Sequence, residues 1–244
     1  MEKTAFTMMR YENKYILDSS QIKAIRDVLK DHMQIDKYGL TSIATLYFDT
    51  PSFQLIRTSI DKPAFKEKIR LRSYGLVKDD EPLFLEIKRK VNGVVYKRRI
   101  MTDAKHAKEF FVKNKDFSNN SQINRELNYF RDYYQNLQPA LLIISDREAY
   151  FKEGSDLRIT IDYKPRFRSE NLDLHTSMDG ENLLPNDQAI LEIKAQRAMP
   201  IWLSRALAGA NIYKTSFSKV GAAYQIFMKQ KLKKSSLWGR CLLS

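Results

Sequence analysis

Lys66-Glu67-Lys68-Ile69-Arg70-Leu71-Arg72 carries a cation at every even position, with Ile69 and Leu71 between them. Successive side chains of a strand point to opposite faces. The period of two therefore predicts a strand with a row of cations on one face and aliphatic packing on the other. The pattern recurs outward along the chain. At 83–90, Glu86, Lys88 and Lys90 share a face while Leu85 and Ile87 take the other. Beyond an Asn92-Gly93 turn, Lys97 and Arg99 share a face. Arg147 follows an apolar strand at 140–144. Arg158, Thr160, Asp162 and Lys164 alternate with Leu157, Ile159 and Ile161, and Glu192 and Lys194 alternate with Leu191 and Ile193. Glu12 and Lys14 form the same pair near the N-terminus.

Taken singly, each strand reads as half-buried, with its charged face in water. Taken together they do not. Like cations at i and i+2, repeated on neighbouring strands, repel one another and would destabilise an exposed sheet. A multivalent anion lying between them removes that cost. Four helices are predicted. Residues 19–33 place Ile22, Ile25, Leu29 and Met33 at helical spacing behind an Asp18 cap and Gln21. Residues 121–138 carry a stripe of Ile123, Leu127, Phe130, Tyr134 and Leu137. Pro200 opens 200–210, and 219–234 ends in a Lys-rich turn that suits its dipole. Helices over the apolar outer faces and charges lining a tunnel make an α+β fold built on an inverted antiparallel barrel. One domain over 1–234 and a tail at 235–244 is the expected organisation, with Trp238, Leu242 and Leu243 in the tail.

The whole-chain balance agrees with a polyanion ligand. Against 29 Asp+Glu stand 42 Lys+Arg, a formal charge of +13, which attracts nucleic acid, anionic membrane or phosphate chains alike. The single Cys241 excludes an internal disulfide, and His32, His106 and His175 lack metal-ligand spacing. There is no GxxxxGK[ST] or GxGxxG loop and no Ser-His-Asp arrangement. Neither an RNP-like aromatic motif nor a basic recognition helix is present, so no specific nucleic acid is expected. No apolar run follows Met1, and the stretch around Leu141–Ile144 is too short to span a bilayer. The expected setting is cytoplasmic.

Triphosphate chemistry is mostly positioning and electrostatics: fixed cations around the phosphoryl oxygens, with a few carboxylates to hold Mn²⁺ or Mg²⁺. Glu12, Glu86 and Glu192 are the metal candidates, each with a lysine two residues on (Lys14, Lys88, Lys194), and Asp162 is a fourth. For each, an internal ion pair with a neighbouring cation is an equally good account.

Eight segments in order carry a resemblance over about residues 8 to 228: YENKY (11–15), KIRLRSYG (68–75), FLEIKRK (84–90), VVYKRRI (94–100), SDREAY (145–150), LRITID (157–162), ILEIKA (190–195) and SFSKVGAAY (216–224). They resemble the VTC-domain polyphosphate polymerases, within the CYTH-like triphosphate tunnel metalloenzymes. The resemblance implies an eight-stranded barrel and transfer of the ATP γ-phosphoryl group to inorganic polyphosphate, releasing ADP. It makes Lys14, Arg70, Arg72, Lys88, Lys97, Arg147 and Arg158 the tunnel cations, with Glu192 on the metal. Ser218 and Lys219 match a late phosphate-binding element. Lys68, Arg99 and Lys194, on the same faces, complete the expected phosphate contacts. Two departures stand out. Ser216 occupies a position that some members fill with Lys, with Lys214 as the expected stand-in. Arg10 breaks the fuller ExExK opening typical of tunnel hydrolases. The resembling family also implies a separate membrane-protein partner, at the inner face of a membrane, if the product is moved across it. A metal-dependent tunnel triphosphatase or cyclase, and a non-catalytic polyphosphate-binding module, are the alternatives.

Overall fold

The alternating segments join into one antiparallel sheet in the computed structural model, which describes residues 11–78, 81–117, 121–196 and 198–241, the side chains of Tyr11 and of 234–241 apart. The strands are β1 (Tyr11–Leu17), β2 (Gln34–Ile35), β3 (Thr41–Asp49), β4 (Phe65–Tyr74), β5 (Leu83–Val91), β6 (Val94–Thr102), β7 (Gln138–Phe151), β8 (Arg158–Arg168), β9 (Glu181–Asn182) and β10 (Ala189–Ala195). The helices are α1 (Ser19–His32), α2 (Gln54–Asp61), α3 (Ala104–Val112), α4 (Gln122–Tyr134), α5 (Ile201–Gly209) and α6 (Lys219–Cys241). Eight strands run in the order β1-β10-β8-β7-β3-β4-β5-β6, with the two-residue β2 on β7 and β9 on β8.

This is the expected α+β antiparallel barrel in curled form. Its end strands, β1 and β6, are not hydrogen-bonded to each other. Instead Lys88 Nζ on β5 reaches Glu12 Oε2 on β1 at 3.2 Å, across the concave space. The free edge of β1 is partly covered where the Thr215 N–H donates to the Lys14 carbonyl at 2.7 Å, which blunts an edge that could otherwise pair with another chain.

Both faces of the sheet follow from the alternation. Ile69, Leu71, Leu85 and Ile87 point outward into a core with Phe110 of α3 and Leu127 and Phe130 of α4. Leu17, Ile159, Ile161, Leu191 and Ile193 do the same beneath Ile25 and Leu29 of α1 and Leu203 and Leu207 of α5. α1 starts where its sequence says: Asp18 Oδ1 accepts from the Gln21 N–H at 2.9 Å, and Gln21 Oε1 accepts from the Asp18 N–H at 3.1 Å. Asn92 (φ 46°) and Gly93 (φ 89°) both take left-handed conformations at the β5–β6 turn, as a tight hairpin requires.

Five elements escaped the sequence reading: α2, α3, β3 and the two-residue β2 and β9. The two helices have only eight and nine residues. α2 has no side-chain cap of its own; the buried carboxylate of Asp49 accepts from the Leu55 and Ile56 N–H groups at 2.8 Å. α6 also differs in extent, running on to Cys241 through the boundary expected at 235. The Trp238 side chain, Arg10, Leu242 and Leu243 lie outside what is described. α6 packs on the concave side. Its Val220 and Ala223 cluster with Ile56 of α2 and with Tyr47, Leu141, Ile143 and Phe167 of β3, β7 and β8. Among the described residues no helix is long and apolar enough to cross a membrane.

Candidate functional site: a cation-lined concave face

Strand register brings the charged residues together. Along β4, Lys66, Lys68, Arg70 and Arg72 stand opposite Lys90, Lys88, Glu86 and Phe84 of β5. Lys88 and Glu86 in turn face Lys97 and Arg99 of β6. On the other side of β4, Arg70 and Arg72 face Tyr47 and Thr45 of β3. Arg147 on β7 faces Asp162 on β8. Thr160 and Arg158 face Glu192 and Lys194 on β10, which face Lys14 and Glu12 on β1. The cations from separate strands thus share one face, and they outnumber its carboxylates.

Those carboxylates form three centres. Glu86 is fully buried; its Oε2 accepts from Arg70 Nε and Nη2, both at 2.8 Å, and its Oε1 from Arg99 at 2.6 Å and Lys97 at 2.7 Å. Burial alone would raise its pKa, but Arg70, Arg72 and Lys97 outweigh that and hold it far below the usual carboxylate range. Burial and its cationic neighbours, against Glu86, push the Lys97 ammonium down to about 8. Asp162, also fully buried, takes a two-pronged contact from Arg147 and a further one from Lys219. Lys219 and then Arg147 overcome the burial cost and keep its pKa low. Glu12 and Glu192 make the third centre. Lys14 Nζ lies 3.4 Å from Glu12 and 4.0 Å from Glu192, and Lys194 also pairs with Glu192. Each glutamate is held ionised against burial, Glu192 mainly by Lys194 and Lys14, Glu12 by Lys88, Lys194 and Lys14.

Several cations of this face have no carboxylate partner among the described residues, Lys68 and Arg72 among them. Burial, helped by Lys88 and Lys14 and opposed by Tyr47, pushes Lys68 down to about 8. Burial, then Arg70 and Arg147, brings Arg72 down to about 10 against the pull of Glu86. Arg72 Nε and Thr160 Oγ1 are buried with no hydrogen-bond partner. Isolated charges and orphaned polar atoms of this kind are costly unless a ligand completes them.

The expected residues are not all alike. Glu86, a metal candidate from the sequence, has both oxygens engaged by Arg70, Lys97 and Arg99, and the oxygens of Glu12 and Glu192 are engaged in the same way by Lys14, Lys88 and Lys194. Arg158 is exposed at the start of β8, with Nη1 donating to the Ser155 and Leu157 carbonyls at 3.1 and 3.0 Å. Ser218 caps α6, its Oγ 3.4 Å from the Gly221 N–H, so Lys219 and the positive end of the helix face Asp162 and Arg147 together. Lys214 is exposed. The ammonium that reaches Ser216 is that of Lys62, at 3.4 Å from its Oγ. Sequence reasoning missed Lys62, Thr45 and Tyr47. Lys62 sits in the left-handed turn ending α2, and Tyr47 reads as core. Not every cation of these strands belongs here: Arg89 and Arg98 take the outer face and pair with Glu126, and Arg89 also with Glu67. These ion pairs floor a cleft of about 600 Å³ beside Tyr129 and Tyr133.

Glu12 and Glu192 fit a divalent cation. They are adjacent enough for Glu192 to raise the Glu12 pKa, and Mg²⁺-type ions are usually held by one or two carboxylates plus substrate oxygens and water. No three His, Cys, Asp or Glu side chains converge here or elsewhere among the described residues.

A family model described as the VTC domain matches residues 9–228. No curated protein matches the chain. Among solved structures, a candidate adenylate cyclase from Bacillus halodurans superposes on 86% of this chain and 94% of its own, with a TM-score of 0.53 and 14% identity. A candidate adenylyl cyclase from Hippeastrum, described as having a dominant triphosphatase activity, does so over 91% and 96%, with a TM-score of 0.51 and 16% identity. At such identities the likeness speaks for the fold.

Proposed function

The chain belongs to the VTC domain family, and on that premise we propose that it is a polyphosphate polymerase. It transfers the γ-phosphoryl group of ATP to the end of an inorganic polyphosphate chain and releases ADP. A terminal oxygen of the chain attacks the γ-phosphorus as the bond to the β-bridging oxygen breaks, and ADP leaves with that electron pair. Charge spreads over the phosphoryl oxygens in such a transfer, so fixed cations and in-line positioning supply most of the rate.

The observation that carries this reading is the row Lys66, Lys68, Arg70 and Arg72 on the concave face of β4. It extends for about 20 Å at ordinary strand rise, more than a single triphosphate needs. Lys68 and Arg72 lack carboxylate partners among the described residues and are left for the anion. Arg70, Lys97 and Arg99 are held in place by Glu86, and Arg147 and Lys219 by Asp162. Ordering these side chains before substrate arrives lowers the cost of binding. Lys14, Lys88 and Lys194 surround Glu12 and Glu192, which would hold Mn²⁺ or Mg²⁺. When bound, such an ion neutralises phosphoryl charge. A separate membrane-protein partner for export of the product is part of the same proposal.

Product analysis tests it. Purified protein with ATP and Mn²⁺ should give a phosphatase-resistant polymer ladder and ADP, lost in Glu192→Gln. Free phosphate or cyclic nucleotide in place of polymer would favour the tunnel hydrolase or cyclase reading. Binding of polyphosphate without turnover would leave only an accessory module.

A further inference from the structure

We propose that Tyr47, Lys68 and Arg72 form a phosphoryl subsite of their own, in which the Tyr47 hydroxyl donates a hydrogen bond to the bound anion. The inference deepens the reading of the concave face as a polyphosphate site and rests on it.

Tyr47 lies directly opposite Arg70 in the β3–β4 ladder, with Lys68 and Arg72 two residues to either side on the same face, within reach of a long side chain. Its oxygen accepts from Arg70 Nη1 at 3.1 Å. The other nitrogens of that guanidinium, Nε and Nη2, are committed to Glu86. Among the described residues nothing accepts the phenolic hydrogen. The ring belongs to an apolar cluster with Ile56 of α2, Leu141 and Ile143 of β7, Phe167 of β8 and Val220 of α6, against which Tyr224 also packs. The charged groups that face it are Lys68, Arg70 and Arg72 of β4 and Lys14 of β1. All four are cations.

A buried hydroxyl donor ringed by cations suits a ligand that is anionic and rich in lone pairs. A phosphoryl group meets both needs; its oxygens accept from Tyr47, Arg72 and Lys68 together. The electrostatics then reverse on binding. Burial would raise the phenol's pKa, but Arg70, Lys68 and Arg72 hold it down at about 7 in the empty site. An anion beside it restores the ordinary preference for the neutral phenol. Lys68, at about 8 when empty, is pushed the same way. Above these values the empty site is partly deprotonated, so binding takes up protons; below them it does not. Anion affinity therefore falls as pH rises through this range.

The test is to titrate metal-free inorganic tripolyphosphate into the intact chain at about pH 6 and about pH 9, either side of the two pKa values. The readouts are near-UV tyrosinate absorbance and calorimetric proton uptake in buffers of unlike ionisation heat. At the higher pH the wild type should lose tyrosinate absorbance and take up protons as it binds. Tyr47→Phe should show no absorbance change, and at the lower pH should bind roughly tenfold more weakly, the worth of one hydrogen bond to a charged group. Binding by the wild type with no tyrosinate change, or an unaltered change in Tyr47→Phe, overturns the subsite and leaves the polymerase reading standing. No binding by the wild type overturns both.

Discussion

Arg147 and Asp162 meet fork to fork across β7 and β8, Nε to Oδ1 at 2.5 Å and Nη2 to Oδ2 at 2.8 Å. With Lys219 on the same fully buried carboxylate, the contact ties two strands to the start of α6. Removing one partner of a buried pair leaves the other charge uncompensated. Asp162→Ala should therefore cost about 3–5 kcal/mol, a fall in melting temperature of roughly 10 °C for a chain of this size. Thermal denaturation checks it. A drop of only a degree or two would mean that Arg147 and Lys219 find other partners.

Arg72 and Arg158 resemble each other in sequence, since both alternate with aliphatic residues, yet their surroundings assign them unequal weight. Arg72 has no carboxylate partner and a buried Nε without an acceptor, beside other cations, whereas Arg158 spends its Nη1 on loop carbonyls. Arg72→Ala should weaken tripolyphosphate binding by at least about tenfold, with little loss of stability, because it also removes repulsion. Arg158→Ala should stay within about threefold, as expected for an exposed charge. Calorimetric titration of both variants distinguishes them, and equal losses would contradict this division of the site.

Much of this was legible in the sequence. The charged rows of β4 and β5 announce themselves where Ile69, Leu71 and Ile87 separate the charges, and that of β6 is legible only by its phase after the Asn92-Gly93 turn. β3 does not: its inward Thr45 and Tyr47 are uncharged, so the period-two signal is absent where the phenol sits. Glu86 shows why residue type alone falls short. A carboxylate looks the same in sequence beside a metal or beside three cations, and it is the register that brings Arg70, Lys97 and Arg99 onto the two oxygens of Glu86. Lys62 depends on the left-handed turn that ends a short helix, a feature no periodicity reports.

Acid should unfold the protein through its buried carboxylates. Glu86, Asp162 and Glu192 all have native pKa values held below their ordinary ones. The sign follows: a depressed carboxylate stabilises the fold fully above its unfolded-state value, and that contribution is lost as pH falls through the native value. Stability should be nearly flat from about pH 7 to about pH 5 and fall steeply below about pH 4. A denaturation series across that range measures it, and undiminished stability at about pH 2 would argue that these ion pairs do not hold the native state.

The outer-face network supplies a control. Glu126 accepts from Arg89 at 3.0 Å and from Arg98 at 3.2 Å, on the side of β5 and β6 away from the concave face. Glu126→Gln should destabilise by about 1–3 kcal/mol while changing tripolyphosphate affinity less than about twofold. A large loss of affinity would show that the two faces are coupled.

A crystal structure with tripolyphosphate and Mn²⁺ bound tests the central claim most directly. The account predicts phosphoryl density inside the curled sheet, with oxygens at hydrogen-bond distance from Lys68 and Arg72 and the ion on Glu12 and Glu192. Density confined to the outer cleft at Arg89 and Tyr129, with the concave face holding only water, would contradict it.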